Sequence, residues 1–151
     1  MAKTRHNILI LNGPNLNMLG VREPDVYGFK NLNAIAAECE EYAAELGLSV
    51  DFRQSNHEGE LVTMIQEARD GYAGVIINPA AYSHTSIALL DALKLLEVPV
   101  IEVHLSNIYK REAFRHHSYV STVAQGVISG LGGHGYILAL DAMRALIDEE
   151  G

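Results

Sequence analysis

The sequence predicts an α/β protein: a flavodoxin-like three-layer sandwich whose five-stranded parallel sheet has the order 2-1-3-4-5. Three observations lead there. Short apolar runs alternate with segments of helical period along nearly the whole chain. Several of those runs are apolar throughout, as in strands covered on both faces. They number five within 151 residues, which suits that strand order.

Ile8-Leu9-Ile10-Leu11 is the first run, and a polar loop punctuated by Gly and Pro follows it from Asn12 to Tyr27. Leu32, Ile35, Ala36, Cys39, Tyr42, Ala43 and Leu46 then recur at three- and four-residue spacing, a helix closed by Gly47. Leu48 to Arg53 alternates as a second strand. Glu60 to Tyr72 has the helical period through Leu61, Met64, Ile65 and Ala68, with Gly71 and Gly74 about its end. Val75-Ile76-Ile77 is the third strand, stopped by Asn78-Pro79. A third helix starts at His84 or Thr85 and runs through Ile87, Leu90 and Leu93 to Leu96, and Pro99 to Val103 is the fourth strand. Val127-Ile128-Ser129 gives the fifth, and Tyr136 to Asp148 the last helix, after Gly130, Gly132, Gly133 and Gly135.

At this length the chain reads as a single domain over residues 1–151, able to bury roughly two thirds of its unfolded surface. One cysteine, Cys39, excludes a disulfide framework and fits a small core residue in a reducing cytoplasm. The basic N-terminus is followed by too short an apolar run for a signal peptide, and no segment has the length of a membrane span. A formal charge of −8 disfavours nonspecific nucleic-acid binding, so the few arginines are read one by one.

Ligand sites in parallel sheets lie beyond the strands' carboxyl ends. The loop after the first strand, roughly fifteen residues, is longer than a connection requires and reads as an active-site loop or lid. It carries Arg22 and Tyr27. The same edge collects Asn12, Asn15, Asn78 to His84, then Glu102, His104, Ser106, Asn107, Arg111 and Arg115. Glu102 and His104 are two apart, hence on one face, where the carboxylate orients or charges the imidazole. Such a histidine reads either as an acid or base or as a satisfied boundary residue. Tyr27 reads as a packing residue or, beside a guanidinium that favours the phenolate, as a base. The arginine forks suit a carboxylate or a developing enolate, and each alone also reads as solvated surface.

No dinucleotide or triphosphate loop follows the first strand, and no H-E-x-x-H or Cys/His spacing marks a metal. Ser83-His84-Thr85-Ser86 lacks a G-x-S-x-G elbow and reads as a cap of the third helix. The glycines from 130 to 135 fit a close strand-to-helix turn, with anion binding the lesser reading.

Asn12-Gly13-Pro14-Asn15-Leu16-Asn17 with Gly20, Arg22-Glu23-Pro24 and Tyr27-Gly28 resembles the signature of type II 3-dehydroquinate dehydratases. The likeness continues through Arg53-Gln54-Ser55-Asn56, Asn78 to Ser86, Ile101 to Asn107 and Arg111 to Tyr119, so it covers nearly the whole chain. It implies dehydration of 3-dehydroquinate to 3-dehydroshikimate by anti elimination through an enolate, with no metal, cofactor or Schiff base. By this resemblance Tyr27 is the base and His104, paired with Glu102, the acid. Arg22 keeps Tyr27 ionised, and Asn12 helps hold a water at the enolate oxygen. Asn78, His84, Arg115 and the backbone N–H groups of Leu105 and Ser106 bind the substrate, with Arg111 a further basic position. It also implies a homododecamer, a tetramer of trimers, in which Asp91 reaches a neighbouring site. A flavodoxin-like binding module is the competing class. A receiver domain would need an acidic cluster after the first strand and a lysine after the last, where this chain has Asn12-Gly13-Pro14-Asn15 and no such lysine.

Overall fold

A computed structural model describes residues 6–21 and 30–150. Its strands are β1 (His6–Asn12), β2 (Leu48–Gln54), β3 (Gly74–Asn78), β4 (Val100–His104) and β5 (Gly126–Ser129). They form one parallel sheet in the order β2-β1-β3-β4-β5, as the sequence predicts. The helices are α1 (Leu32–Glu45), α2 (Glu58–Glu67), α3 (Ile87–Leu93) and α4 (His134–Glu150). Among the described residues no helix is long and apolar enough to cross a membrane.

Alternation along each strand sends side chains to two separate cores. Ile8, Ile10, Ile76, Ile101 and Val103 pack with α1 and α4 on one face. Leu9, Leu11, Val75, Ile77 and Val100 pack with α2 and α3 on the other. This double covering explains why β1 and β3 are apolar runs without polar alternation. Cys39 is fully buried in the first core, where desolvation pushes its thiol up to about 12. It is an inert packing group, since a thiol needs a low pKa to react.

Helix boundaries differ from the sequence expectation, most at the second and third helices. The second helix begins at Glu58 and ends at Glu67, because its last turn tightens: Ala68 N–H meets both the Met64 and Ile65 carbonyls, and Arg69 and Asp70 bond three residues back. Apolar spacing persists through Ala68 although the α-pattern has stopped. The third helix starts at Ile87, later than His84 or Thr85, because Ala80–His84 winds as a 3₁₀ turn. Ser86 caps it, its Oγ accepting Leu89 N–H at 2.9 Å. That turn brings His84 to the edge of the sheet where β3 ends at Asn78.

Gly13 fixes how β1 leaves the sheet. Its N–H donates to the Asn78 carbonyl at 2.8 Å, and a Cβ there would lie 2.5 Å from the Pro79 oxygen. Only glycine lets the loop after β1 pass that close to the turn after β3.

Candidate active site

The carboxyl ends of β1, β3 and β4 open into a cavity of about 270 Å³. Leu16, Leu19 and Ile108 line its apolar side; Asn78, His84, His104, Ser106, Arg111 and Arg115 supply polar groups. A larger hollow of about 380 Å³ between β5 and α4 has no ionisable side chain among its lining residues. Convergent titratable groups therefore select the first cavity as the place for chemistry.

Its charged centre is at the end of β4. Glu102 is fully buried and His104 is 4% exposed. Spaced two apart on the strand, they meet through His104 Nε2 and Glu102 Oε2. Glu102 receives two more hydrogen bonds: Ser118 Oγ donates to Oε2 at 2.7 Å and Ser121 Oγ to Oε1 at 2.6 Å. Burial pushes the carboxyl's pKa up, but the His104 bond and charge and the two hydroxyls outweigh it, holding it below the ordinary carboxylate value. An imidazole held this way presents its other edge to the cavity.

A second cluster joins β1 and β3 to α4 and is neutral. Asn12 and Asn78 are register partners at the ends of their strands. Tyr136, the third residue of α4 and fully buried, stands between them. Its hydroxyl donates to Asn12 Oδ1 at 2.5 Å and accepts from Asn78 Nδ2 at 3.0 Å. Asn12 Nδ2 also donates to the Arg53 carbonyl at 3.0 Å, and Asn78 Oδ1 accepts Ala80 N–H at 3.1 Å. Both amides are thus fixed in orientation. Burial raises the Tyr136 phenol far above its ordinary value, so it stays protonated at any working pH.

His84 donates from Nδ1 to the His117 carbonyl at 2.6 Å, since a carbonyl only accepts. Burial lowers its pKa; the His117 bond opposes this, while His104 and Arg115 add to the lowering. Its Nε2 is then the acceptor nitrogen of a neutral ring. Arg115 is held by Glu112 at 3.1 Å, and Arg111 Nη1 lies 3.5 Å from Ser106 Oγ. The wall beside the histidines is therefore cationic, suited to an anionic ligand.

The loop after β1 is braced from β2. Gln54 Nε2 donates to the Gly13 carbonyl at 3.1 Å, Asn15 N–H to Asn56 Oδ1 at 3.0 Å, and Tyr82 OH to the Asn56 carbonyl at 2.8 Å. The 53–56 segment thus fixes where the loop departs.

This arrangement has known counterparts. A family model for class II dehydroquinases matches residues 6–144. The chain belongs to the class II dehydroquinase family. A 3-dehydroquinate dehydratase from Brucella canis is 59% identical over 150 residues, 99% of this chain and 94% of that protein. The crystal structure of a type II dehydroquinase from Propionibacterium acnes is 49% identical, covers 94% of this chain and 99% of its own, and superposes with a TM-score of 0.90. That from Butyrivibrio crossotus gives 45%, 92%, 97% and 0.90 in the same terms.

Of the residues that the dehydroquinase resemblance singles out, the cavity brings together Asn78, His84, His104, Leu105, Ser106, Arg111 and Arg115. Glu102 stands directly behind His104. Asn12 does not line the cavity: it lies behind Asn78, joined to it through Tyr136. Asp91 is on the exposed side of α3, away from this cavity. Arg22 and Tyr27 lie outside the described residues.

Sequence reasoning missed Tyr136, Ser118 and Ser121 as members of this dehydroquinase site. Tyr136 had a signal. It falls with Ala139, Leu140, Met143 and Ile147 on the apolar face of α4, where a hydroxyl requires a partner. The serines sit in an irregular segment whose course no period reveals.

Proposed function

We propose that this chain, as one catalytic domain, dehydrates 3-dehydroquinate to 3-dehydroshikimate in the shikimate pathway by anti elimination through an enolate, using side chains alone. Tyr27, as phenolate, takes the C2 proton and the electron pair moves to the C3 oxygen as enolate. The enolate then collapses toward C1, the C1–O bond breaks, and His104 gives its proton to the departing hydroxyl, releasing water. Arg22 keeps Tyr27 ionised and stabilises the charge that develops at the enolate. Asn12, set behind Asn78, keeps a second Nδ2 hydrogen beyond the one given to Arg53, so its part at the enolate oxygen is through a water that reaches it.

The observation that supports this reading best is the Glu102–His104 pair at the cavity wall, because elimination of a hydroxyl requires a proton delivered at one point. The substrate carboxylate and hydroxyls meet Asn78, His84, Arg115 and the backbone N–H groups of Leu105 and Ser106. Arg111 adds positive charge to the same wall. A homododecamer would bring Asp91 of one subunit to the cavity of another, and a cytoplasmic setting suits the lone buried thiol.

The test is Tyr27→Phe. Turnover should fall by about three orders of magnitude or more with ligand binding retained. Wild-type turnover would remove Tyr27 as the base. Stereospecific deuteration at C2 checks the geometry: the label anti to the C1 hydroxyl should be lost, and its retention would rule out anti elimination.

A further inference from the structure

The Glu102 carboxylate is held by more than its histidine. It is fully buried, and its two oxygens collect three hydrogen bonds: His104 and Ser118 on Oε2, Ser121 on Oε1. A buried carboxylate is tolerated when donors saturate it. Here the donors have different origins. His104 comes from the same strand, whereas Ser118 and Ser121 lie 16 and 19 residues further along.

That later segment is anchored without reference to Glu102. Tyr119 N–H donates to the Ser83 carbonyl at 2.9 Å, and Val120, between the two serines, is fully buried in the α2/α3 core. Past the turn, Gln125 exchanges two hydrogen bonds with Val100 at the start of β4, both 2.7 Å. The serine hydroxyls are therefore held in place by contacts other than the one to Glu102. Neither serine lines the cavity, so neither touches what binds there.

We propose that Ser118 and Ser121 are positioning residues of the proton donor: they hold Glu102 as a carboxylate and fix the orientation in which it grips His104. An ionised carboxylate accepts all three bonds. A protonated one carries a hydrogen on one oxygen, which reverses or breaks the bond made there and leaves weaker acceptors for the others. The two hydroxyls thus favour the charged form, and through it they set the angle of the imidazole toward the cavity. This rests on the reading of His104 as the acid.

The sign of the pH effect follows from the same bonds. Hydroxyl donors stabilise the anion, so deleting them raises the pH at which Glu102 takes up a proton. Among the described residues, the ionisable groups that interact with it are His104 on its own strand and His84 from the turn after β3, with Arg115 beside His84. The residues paired with Glu102 on β3 and β5, Ile77 and Val127, are not ionisable.

The experiment compares S118A/S121A with the hydroxyl-retaining S118T/S121T. For the alanine pair, kcat should fall by about ten-fold with KM within about two-fold, and the acid limb of kcat should move up by about one pH unit. The threonine pair should return toward wild type. Independently of turnover, the Glu102 carboxyl carbon is titrated by NMR in ligand-free protein labelled with ¹³C-glutamate, its signal assigned by loss in Glu102→Gln. A wild-type titration in folded S118A/S121A overturns the proposal. A raised titration with an unchanged kcat profile upholds the serine cradle and removes His104 as the acid. Where the double variant does not fold, S121A alone, at an exposed position, gives the same readings in smaller measure.

Discussion

Two buried polar clusters stand side by side at the carboxyl edge of the sheet, and they solve one problem in opposite ways. Asn12, Tyr136 and Asn78 form a network without charge, whose phenol is driven by burial out of any working pH range. Glu102, His104, Ser118 and Ser121 form a network around an ion. Each gives its buried polar groups hydrogen-bond partners, as burial requires. The neutral one can fix orientation but exchanges no proton. The charged one is built around a group that does. On the proposed reading, one edge thus separates holding a ligand from moving a proton, and the cavity lies where the two meet.

Substitutions that remove one cluster's character test this division. The largest effect after loss of Tyr27 is expected from Glu102→Gln. It leaves His104 without its anion and sets an amide N–H₂ against serine donors, so kcat should fall by about 10² or more. Stability at pH 7 should drop by about 3 kcal/mol, as when one member of a buried ion pair is removed. Since the carboxyl is held below its ordinary value, its contribution to stability is present above about pH 4.5 and fades as pH falls through the depressed value. Denaturant melts of the two proteins should therefore converge on acidification below that point. A constant gap would deny that the carboxylate is the stabilising form.

Tyr136→Phe strikes the neutral cluster and is expected to act differently. Two amide groups lose their shared partner, costing about 1–3 kcal/mol. KM should rise because Asn78 is freed to turn, while the pH limbs of kcat stay where they are. A displaced limb in this variant would erase the division between the clusters. The smallest effect on the isolated fold belongs to Asp91→Ala at its exposed site, with a stability change within about 0.5 kcal/mol. If Asp91 serves a neighbouring subunit, KM should still rise several-fold, and an unchanged KM would withdraw it from the site.

Both cores and the edge where polar groups gather were legible because each rests on a periodicity, and the strand order because five strands alternating with helices suit the flavodoxin-like arrangement. Apolar runs such as Ile8 to Leu11 specify doubly covered strands, and a two-residue spacing brings Glu102 to His104. Irregular segments have no such grammar. Ala80–His84 winds as a 3₁₀ turn and delays to Ile87 a helix expected from His84 or Thr85, and the path from Arg111 to Thr122 is set by long-range bonds such as Tyr119 to Ser83. The serines on Glu102 were hidden for that reason. Asn12 was legible by resemblance as a ligand-side residue, yet its amide is engaged behind Asn78, because Tyr136 arrives from a helix more than a hundred residues away, at a separation of 124.

The most direct test of the central claim is the absorbance of the conjugated enone formed from 3-dehydroquinate by two samples of purified, assembled protein, one treated with chelator and the other with borohydride in the presence of substrate and then freed of reagent. Enone formation at the untreated rate is the expected result, because the proposed chemistry runs on Tyr27, Arg22 and His104 alone. Loss of the signal after either treatment, in protein still folded, would contradict it: loss to chelator would assign the step to a metal, and loss to borohydride to an imine on lysine.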